Sequence, residues 1–90
     1  MSPGAADAAE VEDWLRGALA EVTGLPRAEV SALPADTPLL GDGLALTSLA
    51  GVHLLAAVRT HWDVDVALLD LGLDSLESIA ALRDFITTHA

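Results

Sequence analysis

The chain has no cysteine and no lysine, and its positive charge rests on four arginines set against fourteen acidic residues. Without cysteine there is no disulfide, and the protein has no thiolate of its own to act as nucleophile or ligand. A formal charge of −10 argues against nucleic acid, whose phosphates would repel the chain, and against an anionic membrane surface. It favours partners with basic patches, drawn in by long-range attraction; acidity that serves only solubility is the plain alternative. Long apolar runs are missing as well. The longest apolar-rich stretch, Leu44 to Val58, is interrupted by Thr47, Ser48 and His53, and is too short and too polar to span a bilayer. The opening MSPGAADAAEVED lacks a basic start and an apolar run, which argues against a signal peptide, so a cytoplasmic location is expected.

What remains is an apolar-rich chain of ninety residues, enough for one domain over 1–90, with 1–6 expected to be disordered. A chain of this length buries roughly 60–65% of its unfolded surface. Its net stability is then about 5–10 kcal/mol, and there is little room for a deep catalytic cavity. From Asp7 the pattern is helical: Val11, Leu15, Ala18, Leu19 and Val22 form one stripe bordered by Trp14, and Gly24 and Pro26 end it. Residues 25–46 carry three prolines and two glycines, yet also Leu25, Val30, Leu33, Leu39, Leu40, Leu44 and Leu46. The spacing predicts a packed loop there, with one short turn near Arg27–Ala32.

A second helix is predicted from Thr47 or Ser48 to about His61, burying Leu54, Leu55, Val58 and Trp62. Ala50, His53, Ala57, Thr60 and His61 fall on the opposite arc, with Arg59 at its edge. A short helix around Ala67–Leu71 and a last one from Asp74 or Ser75, burying Leu76, Ile79, Leu82 and Ile86, complete an all-α reading of three longer helices and one short one.

Two serines stand at predicted helix starts: GLALTSLAG at 43–51 and GLDSLES at 72–78. Asp74 and Glu77 flank Ser75 as a capping box, a structural reason for those residues worth about 1 kcal/mol. Ser48 has a poorer local cap, since no Glu or Gln follows three residues on, and small residues come next. A phosphate on a hydroxyl there would meet free amides and the positive end of a helix, although most serines at such positions only cap. Other chemistries fit badly. A calcium loop from Asp63 fails at Ala67 and Leu68, where an oxygen ligand and a glycine are needed. His53 and His61 have no third ligand near in sequence, so no metal site is expected. No nucleophile elbow supports a serine hydrolase, so no catalytic residue is expected.

The segment LLGDGLALTSLAGVHLLAAVRTHWDVDV, followed by LGLDSLESIAALRDFI, resembles the acyl carrier protein family over roughly Val11 to Ile86. The resemblance implies a four-helix bundle with a long loop between helices 1 and 2. It also implies a serine at the start of the second helix esterified with 4′-phosphopantetheine, whose thiol holds an acyl group as a thioester. By position in the family fold that serine is Ser48, which has a full helix, a short helix and a last helix behind it; Ser75 then caps the last helix.

Asp42, Leu46, Thr47, Leu49 and His53 are the implied flanking and partner-contact positions. The implied partners of this monomer are a phosphopantetheinyl transferase and acyl-loading and acyl-accepting enzymes such as an acyltransferase or ketosynthase. Thr47 stands where the family usually has Asp, and no acid occurs between Ser48 and Trp62, where the family's docking helix is acidic. Partners with less of a basic patch aimed at that helix are therefore expected. The Ala-rich, lysine-free composition and the LTSL motif are similar to discrete carriers of polyketide-type pathways. A discrete peptidyl carrier of aminoacyl groups, and an unmodified acidic helical interaction module, are the alternatives.

Overall fold

The structure, a computed structural model, describes residues 7–90; the expectation for 1–6 lies outside the described residues. Five α-helices and one 3₁₀ turn follow one another, with no strand among the described residues: α1 Ala8–Thr23, α2 Arg27–Ser31, α3 Ser48–Trp62, α4 Val66–Leu69, the turn Asp74–Glu77, and α5 Ile79–His89. The three long helices form the bundle, and their inner faces meet in one core that includes Leu15 and Leu19 of α1, Leu54 and Val58 of α3, and Leu82 and Ile86 of α5. Among the described residues no helix is long and apolar enough to cross a membrane.

Helix α1 forms where its stripe predicts. The Asp7 carboxylate accepts the Ala9 amide at 2.9 Å to open it, and Gly24, in the left-handed region at φ 75°, closes it. Its buried arginine fixes the connection that follows. Arg16 Nη1 donates to the carbonyls of Val30 at 2.9 Å and Leu33 at 2.8 Å, tying α1 to the end of α2 and the loop beyond it; the Val30 carbonyl also accepts the Leu33 amide at 3.2 Å. The turn expected near Arg27–Ala32 is the five-residue α2, which buries Val30. Beyond it the loop folds back on itself: the Leu44 amide donates to the Pro38 carbonyl at 2.8 Å and the Leu46 amide to the Leu39 carbonyl at 3.0 Å. Gly43 makes this possible, because a Cβ there would stand 1.9 Å from the Pro38 carbonyl oxygen.

At the far end of α3, Trp14 stacks on His61 at 4.9 Å and meets Trp62 edge-on at 6.0 Å. His61 is therefore an aromatic packing partner as well as a surface group. Ala50 and Ala57, expected on the outward arc, are half-buried.

The last helix departs from its prediction. Asp74 and Glu77 do not cap it; they bound a separate 3₁₀ turn, and Ser78 is the N-cap of α5, its hydroxyl accepting the Ala81 amide at 3.0 Å. The turn has its own anchor: the Asp70 carboxylate accepts the Ser75 amide at 2.7 Å. With Leu73 left-handed at φ 55° and Ser78 extended at φ −155°, the chain breaks twice, so no single helix runs from 74 onward.

Two carboxylates are bonded in ways that favour their charged forms. Glu12 accepts from Arg83 of α5 at 2.6 Å and from Arg16 at 3.2 Å, and these guanidinium bonds hold its carboxyl below the usual value of 4.5 against the opposing effect of partial burial. The Ser75 hydroxyl and amide beside Asp70 hold that carboxyl below its usual 3.8, although the hydroxyl falls short of hydrogen-bond geometry. A carboxyl whose native pKa is depressed stabilises the fold above its unfolded value, and that contribution is lost as the pH falls through the native value. Unfolding by acid, followed by circular dichroism, is expected to set in below about pH 4. Glu12→Gln and Asp70→Asn are expected to lower stability at neutral pH and to flatten this acid limb.

Candidate functional site

The site is built around the start of α3. Leu46, half-buried against the core, is held by the hydrogen bond from its amide to the Leu39 carbonyl and fixes the entry of the chain. Thr47 is extended at ψ 164° and caps the helix, its Oγ1 accepting the Ala50 amide at 3.1 Å and its carbonyl the Gly51 amide at 2.9 Å. Thr47 thus supplies the cap that Asp would supply, without the charge.

The first two amides of the helix, those of Ser48 and Leu49, have no intrahelical acceptor and point to the positive end of the helix dipole. Ser48 itself is exposed, and its hydroxyl makes no hydrogen bond with another described residue. Gly51, one turn on, leaves open space beside it. His53 is exposed and does not bond the hydroxyl. The arrangement presents an unencumbered primary alcohol to an external enzyme. It also supplies main-chain donors for an anion attached to that alcohol.

The start of α5 is closed by comparison. The Ile79 and Ala80 amides donate to the carbonyls of Thr37 at 3.1 Å and Ala35 at 2.8 Å, and the Ala81 amide to Ser78. Just before it, Ser75 is only 5% exposed, and its hydroxyl is buried without a partner. Of the two serines in the echoed motif, one is in the open and the other is inside.

The structure brings Leu46, Thr47, Ser48, Leu49 and His53 together at one end of α3. Asp42 stands apart. It is exposed at the loop tip, lines a shallow groove with Glu29, Leu33, Thr37 and Leu44, and has no hydrogen bond to residues 46–49. Sequence reasoning passed over Val52 and Ala56, which are exposed along the same helix face; as apolar residues in an apolar helix they gave no signal of exposure. Among the described residues no cluster of three or more histidines and acids is placed to hold a metal ion.

The family described as the phosphopantetheine attachment site matches residues 13–83, from α1 to the middle of α5. No curated protein and no solved structure matches the chain. An exposed serine hydroxyl beside unpaired amides fits a phosphodiester, and the match covers most of the chain. The protein therefore belongs to the phosphopantetheine-attachment family, the carrier proteins that bear a covalently bound 4′-phosphopantetheine and work with transferases and biosynthetic enzymes.

Proposed function

We propose that Ser48 is the attachment residue and that the protein carries acyl groups in a polyketide-type pathway. The observation that supports the residue is the contrast between the two serines: Ser48 is exposed at an open helix start, and Ser75 is buried in a 3₁₀ turn. Thr47 holds the helix start, and the Ser48 and Leu49 amides would meet the phosphodiester's charge. When bound, the group supplies a thiol on a flexible arm, where an acyl group is held as a thioester. The chain's own residues anchor and present. Leu46 fixes the approach of the loop, and Leu49 and His53 offer contact to whichever enzyme works on the cargo. Tethering raises the local concentration of that cargo at the partner. Carrier domains of this kind are not themselves catalytic. The lysine-free, Ala-rich composition and the likeness to discrete carriers support the polyketide-type assignment.

The test is intact mass after incubation with coenzyme A and a broad-range phosphopantetheinyl transferase. One phosphopantetheine per chain is expected, located by peptide fragmentation on the segment containing Ser48. The loaded protein is then offered malonyl-coenzyme A with an acyltransferase or, separately, amino acids with ATP and an adenylating enzyme. Acylation without aminoacylation is expected. Aminoacylation alone would make it a peptidyl carrier, and failure to take up the arm would leave only an interaction module.

A further inference from the structure

We infer that the exposed face of α3 docks an enzyme surface that is apolar and carries a carboxylate, the reverse of a basic docking patch. This rests on Ser48 as attachment residue, since an enzyme acting on a group anchored there must approach the helix face that continues from it. Along that face Ser48, Val52 and Arg59 fall at i, i+4 and i+11, nearly in line, with Leu49 and Ala56 beside them, all exposed. At 1.5 Å per residue, Arg59 lies about 16 Å along the axis from Ser48. Leu49 is 66% and Val52 63% exposed, so the part nearest the serine is apolar.

The charge pattern carries the inference further than the apolar side chains do, because singly exposed apolar residues are ordinary. Three of the four arginines are engaged: Arg16 and Arg83 with Glu12, Arg83 also with Asp84, and Arg27 with Asp13. Arg59 is exposed and has no ion-pair partner among the described residues. No acid occurs anywhere in α3. The carboxylate nearest to Arg59 in sequence is Asp63, the exposed C-cap of α3, whose amide donates to the Arg59 carbonyl at 3.0 Å and whose carboxylate forms no ion pair with Arg59; next comes Asp65, which caps the Leu68 amide at 3.1 Å. In a chain of net charge −10, the face that leads from Ser48 to Arg59 thus carries no acid and ends in a guanidinium without an ion-pair partner among the described residues, with Asp63 one turn beyond it. A basic patch laid on it would meet Arg59 as a like charge; a carboxylate there would find an open bidentate partner.

The test is a charge swap with a defined probe. The carrier and its Arg59→Gln and Arg59→Glu variants are first converted with coenzyme A and transferase and checked by intact mass. Each is then charged from malonyl-coenzyme A by an acyltransferase whose carrier-facing rim is basic, and by forms of that enzyme in which the rim residues are replaced one at a time by Glu. Wild type is expected to prefer a Glu-bearing form in kcat/KM, and Arg59→Glu the unaltered enzyme. Each preference is expected to be about tenfold at low salt and to shrink as salt is raised, with Arg59→Gln between them. Leu49→Ala and Val52→Ala are expected to slow charging several-fold with every form. Normal uptake of the arm with no reversal of preference across the three carriers overturns the docking proposal alone; no uptake at all removes the carrier reading and this proposal with it.

Discussion

Ser48→Ala is expected to take up no phosphopantetheine under conditions that convert the wild type completely, while Ser75→Ala is converted as fully as the wild type. The difference is one of access. A transferase must bring the Ser48 oxygen into line with the pyrophosphate of coenzyme A, and the hydroxyl stands exposed and unbonded, with no side chain to displace. At Ser75 the same reaction would first require the 3₁₀ turn to open, breaking the 2.7 Å bond from the Ser75 amide to Asp70 and baring a side chain that is 5% exposed. The substitutions are mild in structural terms. An exposed serine at the first position of a helix whose cap is supplied by Thr47 changes stability within about 0.5 kcal/mol. Replacing the Ser75 hydroxyl gives up its favourable place beside the Asp70 carboxylate but also removes a buried polar group without a hydrogen bond of good geometry, so the net change is small. Intact mass reads both outcomes directly, and circular dichroism confirms that both variants stay folded. Uptake by Ser48→Ala, or its loss in Ser75→Ala, would reverse the assignment.

The same two serines show where sequence suffices and where it does not. The literal motif Asp74-Ser75-Leu76-Glu77 is the better local match to a capped helix start, and it misleads. Its acids bound a short turn anchored by Asp70 from outside, and the helix that follows is opened instead by Ser78 and by the loop carbonyls of Ala35 and Thr37, which accept the Ala80 and Ile79 amides more than forty positions away. Such non-local partners leave no mark in a window of four residues. For the start of a long helix, position in the chain was the stronger signal, because a helix-long stretch of apolar residues follows Ser48, where α3 begins. Helix α1 was legible to within a residue at each end, since Asp7 and Gly24 fix its caps by local chemistry alone. Helix α3 was legible in extent and less so in face. With Ala, Val and Leu on every side, Val52 and Ala56 look as buried as Leu54 and Val58, and only the packing of α1 and α4 against one side of α3 decides between them. That ambiguity hid the apolar patch beside the candidate site.

Leu54→Ala is expected to cost about 2–5 kcal/mol of stability, a large part of the about 5–10 kcal/mol available to a domain of this size. Leu54 is fully buried, less than two turns along α3 from Ser48, within the core shared with α1 and α5. Truncation removes the side chain's buried surface and leaves a cavity among neighbours that are held by their own helices and collapse only in part. In urea the midpoint should fall sharply while the slope stays constant, since the folded and unfolded surfaces hardly change. Leu49→Ala, five residues earlier on the exposed face, should move the midpoint little, within about 0.5 kcal/mol. The pair also separates support from presentation. Well below its transition, Leu54→Ala should still take up phosphopantetheine at nearly the wild-type rate, because the start of α3 is set by the bonds of Thr47 and Leu46 and these remain. A midpoint unmoved by Leu54→Ala would mean that this face of α3 is not the one packed in the bundle. The exposed line from Ser48 through Val52 to Arg59 would then lose the orientation on which the docking surface depends.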